Sequence, residues 1–235
     1  MSVGNRIYTE FSRPPKALIA SFRDVPVANI DDSMGRLYAV DARIRPLNNM
    51  RLLGTAFTVK APSGDNLMFH KALDMAQEGD VIVVSGIGGG ERSFSGEGMI
   101  RYALFRKLGG FVVDGFIRDK EGSAELPFPV YARGTQPNGP LKYGPGEINV
   151  PVAIGGQVVF PGDILVGDED GIVVIRPADA EEVAAAAKKL AEAEKVKFSG
   201  LSQGINTFNR QWIADHLAAN RCEVIHGACV EGKEA

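Results

Sequence analysis

The chain has 235 residues, with 26 basic and 29 acidic side chains, a formal net charge of −3. That near balance argues against a nucleic-acid binder held by bulk electrostatics. Its 45% hydrophobic and 23% charged residues are ordinary for a soluble globular chain. Glycine is the outlier: 28 in 235 is about 12%, against roughly 7% in proteins at large. The opening Met-Ser-Val-Gly-Asn-Arg-Ile-Tyr lacks the apolar stretch of a signal peptide, and no apolar run approaches the ~20 residues of a membrane helix. Cys222 and Cys229 cannot build a disulfide framework, so a cytoplasmic protein without membrane contact is the expectation.

In chain order, residues 1–16 read as an arm or loop. Lys16 to Arg36 is helix-like but broken at Pro26, and Asp31-Asp32-Ser33 is placed to cap a short helix through Tyr38. Gly54 to Lys60 alternates and is rich in β-formers, which predicts a strand. The turn text 61–66 leads into helical spacing from Leu67 to Gln77. Val81 to Val84 is a short apolar run suited to a buried strand. A helical pattern through Met99, Ala103, Leu104 and Leu108 then stops at Gly109-Gly110, and Phe111 to Val113 is the next buried strand. This order predicts a βαβ unit with a parallel pair.

Beyond Pro127, short strands are expected at Val130-Tyr131, 152–154, 157–160, 164–166 and 172–175, with Gly155-Gly156 turning a hairpin. Glu181 to Lys197 is an alanine-rich helix suited to packing on a sheet. Without repeats or an evident linker, the chain reads as one α/β domain, residues 1–197, with a helical extension over 198–235.

Two features carry chemistry. The first is Gly86-Ile-Gly-Gly-Gly90, between strand and helix where phosphate loops sit. A Gly-x-Gly-x-x-Gly would need glycine at Glu91, and no Gly-Lys-Ser/Thr follows, so the nucleotide reading fails. A turning connection remains, as does a small carboxylate held by bare amides near Gly96, Glu97, Gly98 and Met99. The second is Arg118-Asp119, just past the strand at 111–113 and hence at the carboxyl edge of a parallel sheet. Arg118 offers a planar fork to a carboxylate or enolate, and Asp119 a hard oxygen for Mg²⁺. A surface ion pair or a helix cap would use the same two residues.

Twenty residues separate Glu97 from Arg118, running helix, Gly-Gly, strand. Acidic-x20-Arg-Asp resembles the signature of the RraA-like family, which includes the 4-hydroxy-4-methyl-2-oxoglutarate aldolases, enzymes that also decarboxylate oxaloacetate. The resemblance runs from about Ala28 to Val174, through Gly54-Thr-Ala-Phe-Thr-Val59, Gly64-Asp-Asn66, Gly79-Asp-Val-Ile-Val-Val84, Asn149-Val-Pro-Val152, Pro161-Gly-Asp163 and Asp168 to Val174. It implies a swivelling-type β/β/α sandwich core and a homotrimer or hexamer. It implies a metal-dependent lyase that cleaves or decarboxylates a short 2-oxo acid through a pyruvate enolate, with Mg²⁺ or another divalent cation such as Mn²⁺.

Carried over by position, Gly96, Glu97, Gly98 and Met99 resemble the segment whose amides grip the pyruvoyl carboxylate. Arg118 matches the residue that polarises the substrate oxygen, and Asp119 the direct metal ligand. Glu97 would hold the metal's waters. The chain departs from the family at Gly122, where the aldolases usually carry an acid; Glu121 and Glu125 flank it. The tail 198–204 does not match the segment that supplies a glutamate to the neighbouring subunit in the aldolases.

Other residues read more plainly. Lys60 is the candidate for a Schiff base, but an exposed strand end is the better reading. His70 is read as a packed or hydrogen-bonded helix residue before a catalytic base. Cys222, His226 and Cys229 are poorly spaced for structural zinc. Asp163, Asp168 and Asp170 are read as turn formers. Two alternatives stand beside the lyase: a non-catalytic regulator binding ribonuclease machinery, and an enolate-forming enzyme of other specificity.

Overall fold

The nine-residue strand Leu52–Lys60 is the spine of the protein, because three other strands pair along its length. A computed structural model describes residues 2–86 and 90–227. The chain runs β1 (Asn5–Ile7), α1 (Lys16–Ala20), α2 (Val27–Ser33), β2 (Arg45–Pro46), β3 (Leu52–Lys60) and α3 (Leu67–Met75). It continues through β4 (Asp80–Ser85), β5 (Ser93–Ser95), α4 (Glu97–Phe105), β6 (Gly110–Ile117), α5 (Lys120–Ala124) and β7 (Val130–Thr135). The short strands β8 (Gly146–Ile148), β9 (Val152–Ile154), β10 (Gln157–Val159), β11 (Ile164–Asp168) and β12 (Gly171–Ile175) precede α6 (Ala180–Ser202) and α7 (Gln211–Ala219).

Residues through Ala191 form one compact unit, of mixed α/β class, and Glu192 onward a second. In the first, β3, β4, β6 and β7 lie side by side in parallel. The other edge of β3 is shared: Leu52 to Thr55 pair antiparallel with β11, and Val59-Lys60 with β8. Side-chain alternation divides the core as period two requires. Phe57, Val59, Ile82, Val84, Phe111 and Val113 face α3 and α4. Ala56, Val81, Val83 and Val112 face the opposite layer, against Val152, Ile154 and Val159 of the β9–β10 hairpin. That hairpin turns at Gly155 and Gly156, both at positive φ (48° and 82°), as the glycine pair predicts.

A third cluster joins α6 to β11 and β12: Ala180, Val183, Ala184 and Ala187 pack with Ile164, Val166, Val173 and Ile175. The alanines let the helix lie close to the sheet. α6 continues unbroken past Lys197 to Ser202. Within the second unit the chain turns back, Thr207 Oγ1 donating to the Lys197 carbonyl at 2.8 Å, before α7. Phe198, Trp212 and Leu217 of this unit are exposed.

Three local expectations are corrected. Asn5–Ile7 is a strand, paired in parallel with Gly146–Ile148; all three residues are exposed, so backbone pairing forms it without an apolar pattern. Asp31-Asp32-Ser33 ends a helix instead of starting one. α2 begins after Pro26, and its first amide, Val27 N, donates to Asp168 Oδ2 at 3.0 Å, a cap supplied from 141 residues away. α4 ends at Phe105, and Lys107, not Gly109-Gly110, takes the left-handed turn (φ 56°).

The aspartates of the β-rich half do serve turns. Asp163 accepts the Phe160 amide and pairs with Arg176, and Asp168 accepts the Asp170 amide. Phe111 has no exposed surface and meets Phe69 and Phe128 edge-on, each at 4.9 Å between ring centroids. Phe111→Ala removes a ring that the surrounding helices cannot refill, so urea denaturation is expected to show a loss of about 3–5 kcal/mol.

Candidate functional site

Loops leaving the carboxyl ends of four strands enclose a cleft of about 370 Å³. Asn66 and His70 come after β3, Ser95 to Met99 join β5 to α4, Arg118-Asp119 follow β6, and Gly139 to Lys142 follow β7. Ligands of open α/β sheets bind at this edge because successive loops there fan out around one crevice. Of the glycine-rich stretch 86–90, Ile87 to Gly89 lie outside the described residues; Gly86 and Gly90 do not line the cleft.

Arg118 and Asp119 meet in this cleft for a conformational reason. The Arg118 amide donates to the Ser95 carbonyl at 2.8 Å, holding it in line with the β5–β6 pairing. Asp119 then turns left-handed, φ 58° and ψ 43°. Neighbours on an extended strand point to opposite sides; the left-handed turn brings both side chains to one side. A non-glycine residue pays about 1 kcal/mol or more for that conformation. Gly96 lets it close: a β-carbon there would lie 3.1 Å from Arg118 Cγ and would overlap Asp119 Oδ2.

The first turn of α4 forms one wall. Gly96 is its extended N-cap residue, and the Met99 amide turns back to the Gly96 carbonyl at 3.1 Å. The Glu97 amide donates to Asp119 Oδ2 at 3.2 Å. The Gly98 amide has no partner among the described residues, and a side chain at Gly98 would meet open space. A first-turn amide at the positive end of a helix suits a carboxylate. Opposite it, Arg118 Nε stands 3.7 Å from Asp119 Oδ2, with both side chains nearly half exposed. So loose a pair adds little stability and leaves the guanidinium edge for a ligand.

The Glu97 side chain takes another direction. Its carboxylate accepts from Arg101 Nε at 2.7 Å and lies against Gly122 in α5; it does not line the cleft. Glu121 and Glu125 are exposed and do not line it either. The site residues read from the sequence therefore divide: Gly96, Gly98, Met99, Arg118 and Asp119 line one cleft, and Glu97 joins it through its backbone.

Asn66, His70 and Lys142 complete the cleft. Asn66 is buried; its Nδ2 donates to the Phe94 carbonyl at 2.9 Å, and its buried Oδ1 has no partner among the described residues. The loop bearing Lys142 was not legible as part of the site. Asp65 fixes it by accepting the amides of Tyr143 at 2.7 Å and Gly144 at 2.9 Å while also accepting that of Leu67. The signal lay in two turn-rich texts, 61–66 and 136–140, with nothing in the sequence to say that they meet.

His70, expected as a packed or hydrogen-bonded helix residue, stands at the cleft rim, partly exposed and partly buried. Lys60 is half exposed, its Nζ 3.8 Å from Glu147, as a strand-end lysine should be. Cys222 is exposed, and Cys229 lies outside the described residues. No group of three or more His, Cys, Asp or Glu could hold a metal ion among the described residues. No helix among them is long and apolar enough to cross a membrane.

The sequence model of the RraA-like family, described as Aldolase/RraA, matches residues 27–174. A relative from Halalkalibacterium halodurans named "Putative 4-hydroxy-4-methyl-2-oxoglutarate aldolase" is 39% identical, covering 80% of this chain and 90% of its own. The 4-hydroxy-4-methyl-2-oxoglutarate aldolase of Thermus thermophilus is 34% identical, over 47% of this chain and 68% of its own. Among solved structures, RraAS2 of Streptomyces coelicolor, described as an unusual member of the RNase ES inhibitor RraA protein family, superposes with a TM-score of 0.71 at 28% identity. That match covers 80% of this chain and 98% of RraAS2.

Desolvation and the Lys142 cation lower the pKa of His70, with Asp74 pulling it partly back. The imidazole is therefore expected to titrate below its ordinary value of about 6.5. Because the unfolded chain binds this proton more readily, stability falls as pH drops below about 6.5 and is regained as pH rises through that window. Following the His70 ring by NMR, Lys142→Ala should move the midpoint up, and an unmoved midpoint would remove Lys142 as its neighbour in solution.

Proposed function

The chain belongs to the RraA-like family, and on that footing we propose that it is a divalent-metal-dependent carbon–carbon lyase acting on a short 2-oxo acid. The observation that carries this reading is the convergence of Arg118, Asp119 and the first turn of α4 on one cleft at the carboxyl edge of the sheet. The relatives named as aldolases support the same class of reaction.

The donor set fits a hard cation that keeps most of its waters. Mg²⁺ is commonly held by one or two carboxylates together with substrate and solvent oxygens, not by an all-protein cage. Asp119 Oδ1 accepts no hydrogen bond from the described residues while Oδ2 is tied to the Glu97 amide, so the carboxylate is oriented and still available. Asp119 would hold the ion directly; the water-bridged role that the family resemblance implies for Glu97 would require its carboxylate to leave Arg101 and turn toward the cleft. When bound, Mg²⁺ or Mn²⁺ supplies Lewis-acid polarisation of the substrate's keto and carboxylate oxygens.

The remaining work belongs to the chain. The Gly98 amide and the start of α4 receive the carboxylate of the pyruvoyl group. Arg118 directs its fork to the keto oxygen, where negative charge accumulates as the carbon–carbon bond breaks and its electron pair passes into the enolate. In the retro-aldol the hydroxyl on the departing carbon gives its proton to solvent as it becomes a carbonyl, and the enolate takes up a proton at carbon to become pyruvate. Loss of CO₂ from oxaloacetate leaves that same pyruvate enolate, so one cleft serves both retro-aldol cleavage and decarboxylation. Beyond the pyruvoyl end, His70 and Lys142 lie where the variable part of the substrate would extend. The reading takes the protein to be cytoplasmic and to assemble as a homotrimer or hexamer, as the family resemblance implies.

A second reading, a non-catalytic regulator of ribonuclease machinery, is favoured by the likeness to RraAS2. Pyruvate release from oxaloacetate and from 4-hydroxy-4-methyl-2-oxoglutarate decides between them. Turnover should vanish with chelator and return with Mg²⁺ or Mn²⁺. Arg118→Ala and Asp119→Asn should each lower kcat by about 100-fold or more, the usual cost of losing a group that stabilises developing oxyanion charge. Metal-independent turnover would remove the cation from the reaction, and full activity in either variant would place the site elsewhere.

A further inference from the structure

The loop that brings Lys142 to the cleft is not held by packing. On either side of Lys142, Leu141 and Tyr143 are 40% and 84% exposed, so the segment buries little apolar surface. Backbone pairing fixes one flank: the Leu141 amide donates to the Gly64 carbonyl at 2.8 Å, and the Asn66 amide to the Leu141 carbonyl at 2.9 Å. A side chain fixes the other. Asp65 Oδ2 accepts the amides of Tyr143 at 2.7 Å and Gly144 at 2.9 Å, while Oδ1 accepts that of Leu67 at 3.0 Å.

Asp65 is only 3% exposed, and no cation pairs with it among the described residues. Burying a carboxylate is costly, and here three amides satisfy it. One oxygen serves the first turn of α3, the helix that carries His70; the other serves the loop of Lys142, 78 and 79 positions along the chain. Asn66, His70 and Lys142 all line the cleft. We propose that Asp65 is a positioning residue for the cleft: its carboxylate clamps the Lys142 loop to the start of α3 and thereby sets the Lys142 cation beside His70. The clamp stands on geometry alone; its consequence for substrate binding rests on the lyase reading above.

Asparagine at 65 tests the clamp with almost no change in size. A carboxylate accepts at both oxygens, whereas an amide has one acceptor and one donor. Whichever way it turns, either Leu67 or the Tyr143–Gly144 pair meets an N–H group instead of an oxygen. Serine is a second probe, because its hydroxyl accepts the Leu67 amide in a local turn but releases the loop.

The experiment compares wild type, Asp65→Asn, Asp65→Ser, Lys142→Ala and Asp65→Asn/Lys142→Ala in the full chain. The His70 ring is followed by NMR through its titration, and KM and kcat are measured on oxaloacetate with Mg²⁺. Burial and the Lys142 cation hold the His70 midpoint down, and Asp74 pulls it partly back. Releasing the lysine should therefore raise the midpoint in Asp65→Asn and Asp65→Ser, as removing it does in Lys142→Ala. Loss of the Asp65 charge by itself would act the other way, since taking an anion from a histidine's surroundings disfavours the imidazolium. The double variant should titrate like Lys142→Ala. On oxaloacetate, each single variant should raise KM about tenfold with kcat within about twofold, and the double variant should raise it no further.

A midpoint unmoved or lowered in both Asp65 variants would overturn the proposal. An unmoved midpoint in Lys142→Ala would do the same, since no cation would then stand beside His70. So would a further rise when Asp65→Asn is added to Lys142→Ala, because the aspartate would be acting on His70 without the lysine. A wild-type chain that releases no pyruvate would instead defeat the lyase reading, and the His70 titrations would still decide the clamp.

Discussion

At Gly96 the backbone comes so near the Asp119 carboxylate that a β-carbon there would overlap Oδ2 as it now stands, and the arrangement of the cleft is built around that approach. It allows β6 to end in a left-handed turn with Arg118 and Asp119 on the same side. It also lets the Glu97 amide hold Asp119 Oδ2. A β-carbon at 96 would displace the Asp119 carboxylate from its place at the Glu97 amide.

The sheet makes so tight a junction possible. β3, β4 and β6 run in parallel through a core buried on both faces, so their carboxyl ends are fixed relative to one another before any loop is considered. Because β3 pairs on its second edge with β11 and then β8, the antiparallel half braces the same spine. Strain at Asp119 and an unpartnered Asn66 Oδ1 are tolerable on a scaffold held by that much buried apolar surface.

Electrostatically the cleft is mixed but ordered. Arg118, Lys142 and the start of α4 offer positive potential, and Asp119 is the carboxylate placed among them. Under the proposed reading, a dicarboxylate substrate would meet cationic groups on several sides, and a divalent ion would meet an acid already oriented by backbone. The net charge of −3 conceals this local arrangement, since charge at a site depends on which loops converge there.

The sequence by itself determined the strands and helices whose periodicity is long or strongly apolar: the βαβ unit of β4, α4 and β6, the β9–β10 hairpin with its glycine pair, and the alanine-rich α6. It also marked Arg118-Asp119 and the start of α4, through the resemblance of their acidic-x20-Arg-Asp spacing to the RraA-like signature. The exposed β1, the start of α2, whose cap comes from Asp168, and the Lys142 loop held by Asp65 depend on partners distant in the chain. Local pattern carries no record of such partners. The excess of glycine shows the same division: turn glycines such as Gly155-Gly156 are readable from their neighbours. At Gly96 and Gly122 the place of a β-carbon is taken by a carboxylate from another segment, and only the tertiary structure brings that segment there.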